Sequence, residues 1–135
     1  MLPVGDDRYA LAAEHVREVA AAPRPTALPG MPVWALGLVN LRGEVVPLLD
    51  TAVLLGMEPS PTVAFAVVVH TSLGLAALAS TAMPEMVTLG DDIGPSELAG
   101  TSGRRRLDGG YAVLLDIDAL LAIAHGEPSR TSEAP

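Results

Sequence analysis

The chain contains no cysteine and no lysine, and each absence removes a group of functions. Without a thiol there is no disulfide, no thiolate nucleophile and no cysteine-ligated metal. Because all eight basic residues are arginine, there is also no Walker A lysine, no Schiff base and no lysine general base. Aromatic residues number only four (one Trp, two Tyr, one Phe) in a chain that is half apolar, so the core must be largely aliphatic.

Positive charge is scarce as well. The net charge of −8 argues against nucleic-acid binding, which needs clustered positive charge. The one basic cluster, Arg104-Arg105-Arg106, falls between residues 90 and 110, a stretch rich in Gly, Ser and Asp that predicts a long loop. A solvated loop is the simpler interpretation of the cluster, and a contact patch for an acidic partner is the alternative.

The charge-free run from residue 59 to residue 84 raises the question of a membrane helix. Prolines bound the run, and His70 to Gly74 interrupt it with turn-forming residues. A spanning helix needs about 20 continuous apolar residues with basic anchors. Two strands joined by a turn therefore fit better, and no direct membrane insertion is predicted. Acidic and basic residues among the first 22 positions leave no room for a secretory signal peptide, so a cytoplasmic location is expected.

Catalytic and metal-binding patterns are missing. The three histidines, His15, His70 and His125, are far apart in sequence and have no ligand spacing, so each is interpreted as a surface or turn residue. Paired aspartates occur in glycine-flanked turns or at a helix start, where they satisfy local backbone donors. The sequence predicts no enzyme, no metal site and no cofactor.

The segment from Leu28 to Gly56 has the clearest local signals. Two apolar runs flank Arg42-Gly43, which predicts strands at 33–41 and 44–49 joined by a turn. Asp50 is placed to cap a helical turn at 51–55 that Gly56 ends. Elsewhere the pattern predicts strands at 1–4, 9–13, 62–69, 73–79, 86–89 and 111–115, helices at 14–22 and 117–124, and a disordered tail at 126–135.

Part of this pattern occurs twice. Residues 46–55 align with residues 112–121, with five of ten positions identical, including the aligned Asp50 and Asp116. In both copies a strand leads into an Asp-capped helical turn. The repeat predicts two similar half-structures within one domain, residues 1–125.

Glu18 and Arg42 are a candidate ion pair. A lone arginine among buried strands needs a carboxylate partner or access to water. If 14–22 is a helix covering the strand pair, a Glu18–Arg42 ion pair would hold it in place. Two independent surface charges are the alternative.

The segment Leu36 to Asp50, LGLVNLRGEVVPLLD, resembles the core motif of the CheW-like family, the chemotaxis coupling proteins. The resemblance covers roughly residues 4 to 124. Its other ordered matches are Arg8–Leu11, Val16–Val19, Leu28–Pro32, Leu73–Leu75, Pro84–Val87 and Val113–Asp116.

This resemblance implies an all-β fold of two interleaved five-stranded SH3-like β-barrels with short helices. It also implies a non-enzymatic adaptor that links the cytoplasmic tips of methyl-accepting chemoreceptors to the regulatory domain of a CheA-type histidine kinase. In the family a Glu–Arg pair at Glu18 and Arg42 supports the receptor-facing region. The residues that we expect to contact partners are Glu18, Val39, Asn40, Leu41, Arg42 and Gly43.

The chain departs from the family at three places. Its first strand is very short, residues 76–82 replace the family's Val-Asp-x-Val stretch, and Thr51-Ala52 stand where many relatives have Leu-Arg. These departures leave open a divergent scaffold or regulator of surface motility or another output, a small β-barrel ligand-binding module, or a homo-oligomer.

Overall fold

Short strands dominate the architecture. The computed structural model describes residues 1–60 and 62–124, and its elements in these ranges are all short. The strands are β1 (Leu2–Val4), β2 (Asp7–Tyr9), β3 (Val16–Ala21), β4 (Ala35–Leu41), β5 (Glu44–Leu49), β6 (Phe65–Thr71), β7 (Gly74–Ser80), β8 (Asp92–Gly94), β9 (Thr101–Leu107) and β10 (Gly110–Leu115). The helices are α1 (Thr51–Leu54) and α2 (Ile117–Ala124), and a single 3₁₀ turn covers Ala13–His15. The all-β class is confirmed.

The first lobe is a five-stranded sheet in the order β3-β6-β7-β5-β4, antiparallel except for the β5–β7 pair. Beyond β3 the chain reaches the opposite edge, where Thr26 and Leu38 exchange two backbone hydrogen bonds of 2.8 and 2.9 Å. Gly37 permits this approach, since a Cβ there would lie 2.6 Å from the Thr26 carbonyl oxygen, and its φ is +147°. This isolated bridge therefore brings the chain beyond β3 against β4, the opposite edge of the sheet.

The second lobe combines the three-stranded sheet β10-β9-β8 with the β1–β2 hairpin. Ala10 joins the two parts, because its N–H donates to the Val113 carbonyl and its carbonyl accepts from the Leu115 N–H, both at 2.8 Å. Five strands thus contribute to each lobe, as expected. In both lobes the strands form open sheets that isolated bridges link. The strands do not close into continuous barrels.

The two lobes repeat one local structure, as the aligned segments predicted. The β4–β5 and β9–β10 hairpins each turn through two residues of positive φ, Arg42-Gly43 and Asp108-Gly109. The strand that follows each turn ends at an aspartate whose carboxylate accepts from a backbone N–H three residues on, 3.5 Å for Asp50 and 3.0 Å for Asp116. The helix-capping prediction for Asp50 is confirmed.

The β6–β7 hairpin is buried on both faces. Ala66 and Val68 pack in the cluster inside the five-stranded sheet, whereas Val67 and Val69 pack in a larger cluster with both helices and the N-terminal hairpin. Side chains of β7 alternate between the same two clusters. This explains why residues 66–69 and 76–80, within the run at 59–84, carry no charge, because a strand buried on both faces has no position for one. Among the described residues neither helix is long and apolar enough to cross a membrane.

The predicted helix at 14–22 is wrong. Only the 3₁₀ turn is helical there, and residues 16–21 form β3, which pairs antiparallel with β6. Val16, Val19 and Ala20 share one helical face, but side chains along β3 alternate between half-buried and exposed, as a strand requires. Pairing with a strand far away in sequence overrode the local pattern.

The predictions between residues 86 and 110 are also wrong. Residues 86–89 form no strand, and the expected loop at 90–110 contains β8 and β9. Arg104-Arg105-Arg106 therefore lies in a strand with neighbours on both sides, where ladder hydrogen bonds compensate for a composition poor in β-branched residues. The predicted strand at 9–13 is wrong in its bounds, since β2 covers Asp7–Tyr9, Ala10 forms only an isolated bridge and Ala13 begins the 3₁₀ turn. The 126–135 tail and His125 lie outside the described residues.

Replacing Gly37 with Ala should reduce the free energy of unfolding by about 2 kcal/mol or more, because overpacking a tight contact costs about 1–3 kcal/mol and positive φ adds strain. Gly109→Ala is the matched control: its φ is also positive, at +76°, but nothing lies within 4 Å of the added Cβ. We expect a loss of about 1 kcal/mol there. Urea unfolding of both variants measures the difference, and equal losses would contradict the role of Gly37 in edge closure.

Candidate functional site

The candidate site is built on the tight turn between β4 and β5. Arg42 and Gly43 have φ of +53° and +85°, and Leu41 pairs directly with Glu44, which is the geometry of a two-residue hairpin loop. The Asn40 side chain stabilises the turn, because its Oδ1 accepts from the Gly43 N–H at 3.0 Å. The turn thus presents Arg42 on a short, hydrogen-bonded loop, with 82% of its side chain exposed.

Two ion pairs connect this turn to β3. Arg42 Nε lies 3.2 Å from Glu18 Oε2, and Arg17 Nη2 lies 2.6 Å from Glu44 Oε1. The hydrogen bond and charge of Glu44 raise the pKa of Arg17 above its ordinary value. Since β3 is one edge of the five-stranded sheet and the β4–β5 hairpin lies at the other, the two ion pairs link parts of the sheet that its ladder leaves apart.

A β-bulge lets neighbouring residues of β3 contact the same turn. Successive side chains of a regular strand point to opposite faces, but the register of β3 against β6 shifts between Val16 and Glu18. The extra residue, Arg17, is re-aimed by the bulge. The structure therefore brings Glu18 and Arg42 together from a strand and not from the predicted helix.

The Arg17–Glu44 pair was missed by sequence reasoning. The sequence did contain a signal for this pair. Arg17 and Glu18 are followed later in the chain by Arg42 and Glu44, so each charge of one segment has an opposite charge in the other. The helix assigned to 14–22 concealed it, because consecutive helical residues point about 100° apart and could not both meet one turn.

The remaining candidate residues differ in what they expose. Val39 is only 2% exposed and packs in the cluster inside the five-stranded sheet, so it supports the surface from below. Leu41 is half-buried against the same cluster. Asn40, Arg42 and Gly43 are exposed. The exposed part of the site is the turn itself together with the partly exposed Glu18 carboxylate.

An apolar groove begins on the same strand. Its cavity volume is about 530 Å³, and Val16 and Val19 of β3 line it together with Leu11, Met86 and Leu89. Val19 is 42% exposed and Met86 87% exposed, which is high for side chains of this size. Arg105 of β9 reaches the groove and donates through Nε to the Gly90 carbonyl at 2.6 Å. The groove can accept an apolar surface between the two lobes.

A second cleft of about 530 Å³ brings together residues that are distant in sequence. His15, His70, Asp116 and Asp118 all line it, and the Ser72 N–H donates to the Asp118 carboxylate at 3.3 Å. Both histidines are exposed. No group of three or more His, Asp or Glu side chains within the described ranges could hold a metal ion.

Comparison with known proteins gives the family. A model of the CheW-like domain matches residues 1–125. The chain belongs to the CheW-like domain family. Both halves of the repeat and the Arg42 turn lie within the matched range.

Relatives of this CheW-like chain include two rhizobial proteins. It is 34% identical over 92 residues to a probable chemotaxis protein CheW of Rhizobium etli, covering 67% of this chain and 59% of that protein. It is 29% identical over 141 residues to the chemotaxis protein CheW of Rhizobium meliloti, covering 97% of this chain and 87% of that protein.

A solved structure with the same fold is the scaffolding protein TtCheW from Thermoanaerobacter tengcongensis. The TM-score is 0.76, the sequence identity 20%, and the match covers 88% of each chain. The expected CheW-like architecture is confirmed by this agreement, which concerns the fold alone.

Removing the Arg42 side chain of the CheW-like domain should leave it folded. Because the guanidinium is mostly exposed, we expect Arg42→Ala to lower the free energy of unfolding by less than about 1 kcal/mol. Urea unfolding followed by circular dichroism measures this, with Arg24→Ala as a control for loss of an exposed arginine. A loss above about 3 kcal/mol would mean that the pair behaves as a buried one.

Proposed function

We propose that this protein is a non-enzymatic adaptor that couples chemoreceptors to a CheA-type histidine kinase in a chemosensory pathway. The observation that carries the proposal is the membership of residues 1–125 in the CheW-like domain family. Residues 1–125 act as one domain in this proposal, which is supported by a core cluster that contains side chains of both lobes, such as Val4, Leu78 and Leu115. An adaptor with these partners works in the cytoplasm, where receptor tips and the kinase meet.

The Arg42 turn is the proposed partner-binding surface. A guanidinium held on a tight turn loses little conformational freedom on binding, and such preorganisation favours affinity. Glu18 orients the guanidinium, Asn40 and Gly43 define the backbone of the turn, and Val39 and Leu41 hold it from beneath. Each of the six candidate residues thus has a defined part, although Val39 is buried and cannot touch a partner.

The neighbouring groove offers a site for the apolar face of an amphipathic receptor helix. Grooves of this kind recognise helices through apolar side chains spaced at one or two turns. Because Val16 and Val19 lie on the same strand as Glu18, one partner can contact the groove and the charged turn together. This continuity favours the receptor tip as the ligand of the groove.

Two departures from the family pattern lie in the core and leave the proposed surface unchanged. Thr51 is fully buried, and its hydroxyl donates to the Ala79 carbonyl at 2.8 Å. Residues 76–80 are buried on β7. A different signalling output, such as surface motility, is therefore an alternative. It would change which partner proteins bind and would leave the binding surface the same.

The first experiment is a binding titration of the purified protein against the regulatory domain of a CheA-type kinase and a soluble receptor-tip fragment from the same genome. We expect micromolar or tighter binding, and Arg42→Ala should weaken binding to at least one partner by roughly tenfold, about 1.4 kcal/mol. Arg24→Ala, which also removes an exposed arginine, should bind as the unmodified protein does.

A charge-exchanged variant, Glu18→Arg with Arg42→Glu, separates two roles of the pair. It keeps an ion pair but reverses the exposed charge, so it should stay folded without regaining affinity if Arg42 contacts the partner. Unchanged affinity of Arg42→Ala for both partners would remove Arg42 from the site. Absence of any binding by the folded protein would overturn the adaptor proposal itself.

The groove has its own test. Val19→Asp and Met86→Gln place polar groups on exposed groove positions, and we expect a roughly tenfold loss of affinity for the receptor fragment with kinase affinity unchanged. Leu73→Gln is the control, because Leu73 is 70% exposed and lies at the β6–β7 turn, outside the groove. Equal effects of all three substitutions on receptor binding would show that the groove is not the site.

A further inference from the structure

A basic face on the second lobe is the feature that the adaptor surfaces leave unexplained. It consists of Arg104 and Arg106 of β9 and Tyr111 of β10. Arg106 is the direct cross-strand partner of Tyr111, and Arg104 is two residues away on the same strand, so the three side chains share one side of the sheet. Arg106 is exposed and Tyr111 is 55% exposed.

Arg104 is held in place within this face. Its guanidinium carbon lies 5.2 Å from the centre of the Tyr111 ring, and its Nε donates to the Pro95 carbonyl at 3.2 Å. These contacts leave the terminal nitrogens of the guanidinium free to donate to a ligand. A stacked arginine presents its planar fork with less loss of side-chain entropy, which suits recognition of carboxylates.

Among the residues that the structure describes, no carboxylate forms an ion pair with the arginines of this face. In residues 1–60 and 62–124, Arg104, Arg105 and Arg106 form no ion pair, whereas Arg17 and Arg42 each have one. The residue of β8 opposite Arg104 is Gly94, which has no side chain to offer. Asp92 is opposite Arg105, and one of its carboxylate oxygens accepts from the Gly94 N–H.

Arg105 separates the basic face from the groove. As the residue between Arg104 and Arg106 on a strand, it points to the opposite side of the sheet, where it lines the groove. A ligand on the basic face and a ligand in the groove would therefore occupy different sides of β9.

We propose that the face of Arg104, Arg106 and Tyr111 docks an acidic segment of a partner protein, independently of the Arg42 turn and the groove. Two guanidinium groups beside an exposed tyrosine match the residue types that dominate binding energy at protein interfaces. Carboxylates complement them by bidentate hydrogen bonds. A nucleic acid is disfavoured as the ligand, because two guanidinium groups do not supply the clustered positive charge that binding along a phosphate backbone needs.

The test uses a fluorescently labelled peptide of alternating glutamate and serine as the probe, with fluorescence anisotropy as the readout and neither receptor nor kinase present. The control peptide replaces every glutamate with glutamine. We expect the acidic peptide to bind the unmodified protein and the glutamine peptide not to bind. Arg104→Gln with Arg106→Gln should weaken peptide binding by roughly tenfold or more.

A matched variant, Arg8→Gln with Arg24→Gln, removes the same charge from two exposed arginines elsewhere and should change the affinity by less than about twofold. Arg106→Gln alone is a milder variant that changes one exposed position of the face. Tyr111→Phe should retain binding of the acidic peptide, because the ring that stacks on Arg104 remains. Urea unfolding of each variant confirms that it is folded.

Three outcomes would overturn the proposal. Equal losses in the two double arginine variants would mean unspecific attraction to positive charge, and no binding of the acidic peptide by the unmodified protein would remove the site. Tighter binding of a duplex DNA oligonucleotide than of the acidic peptide, lost in the Arg104/Arg106 variant, would assign the face to nucleic acid instead.

Discussion

The rest of the structure depends on the burial of the β6–β7 hairpin on both faces. Val67 and Val69 face the cluster that unites both helices with the N-terminal hairpin, while Ala66 and Val68 face the interior of the first lobe. No charge can be accommodated at these positions. The lobes consequently share a core, so that β7 anchors α1 through Thr51 and β6 fixes the edge strand β3.

Because β3 is positioned by β6, the buried hairpin also determines the geometry of the proposed adaptor surface. The bulge in β3 directs Arg17 and Glu18 to the turn of β4–β5, and the same strand contributes Val16 and Val19 to the groove. A surface supported in this way is organised before a partner arrives, which reduces the entropy lost on binding. The proposed basic face of the second lobe lies on the other side of β9 from the groove, so the two proposed surfaces do not overlap.

Predictions from the sequence succeeded where short-range rules decide. The Arg42-Gly43 turn, the Asp50 cap and the terminal helix all depend on residues within about four positions of each other. The Glu18–Arg42 contact was proposed from the isolated arginine and supported by the family resemblance, whereas its partner pair Arg17–Glu44 was not predicted at all. Predictions failed at 14–22 and 90–110, because β3 and β9 acquire strand structure only from neighbours that are remote in sequence.

By itself, the sequence determined the absence of thiol and lysine chemistry, the aliphatic character of the core, the tight turns and the repeated strand–Asp–helix unit. These are properties of composition and of local backbone preference. Only the tertiary structure decided that residues 16–21 are a strand, that the arginine cluster lies in a sheet, and that Thr26 closes the first lobe against Gly37. Each of these depends on hydrogen bonds and packing between distant segments, which local preferences do not specify.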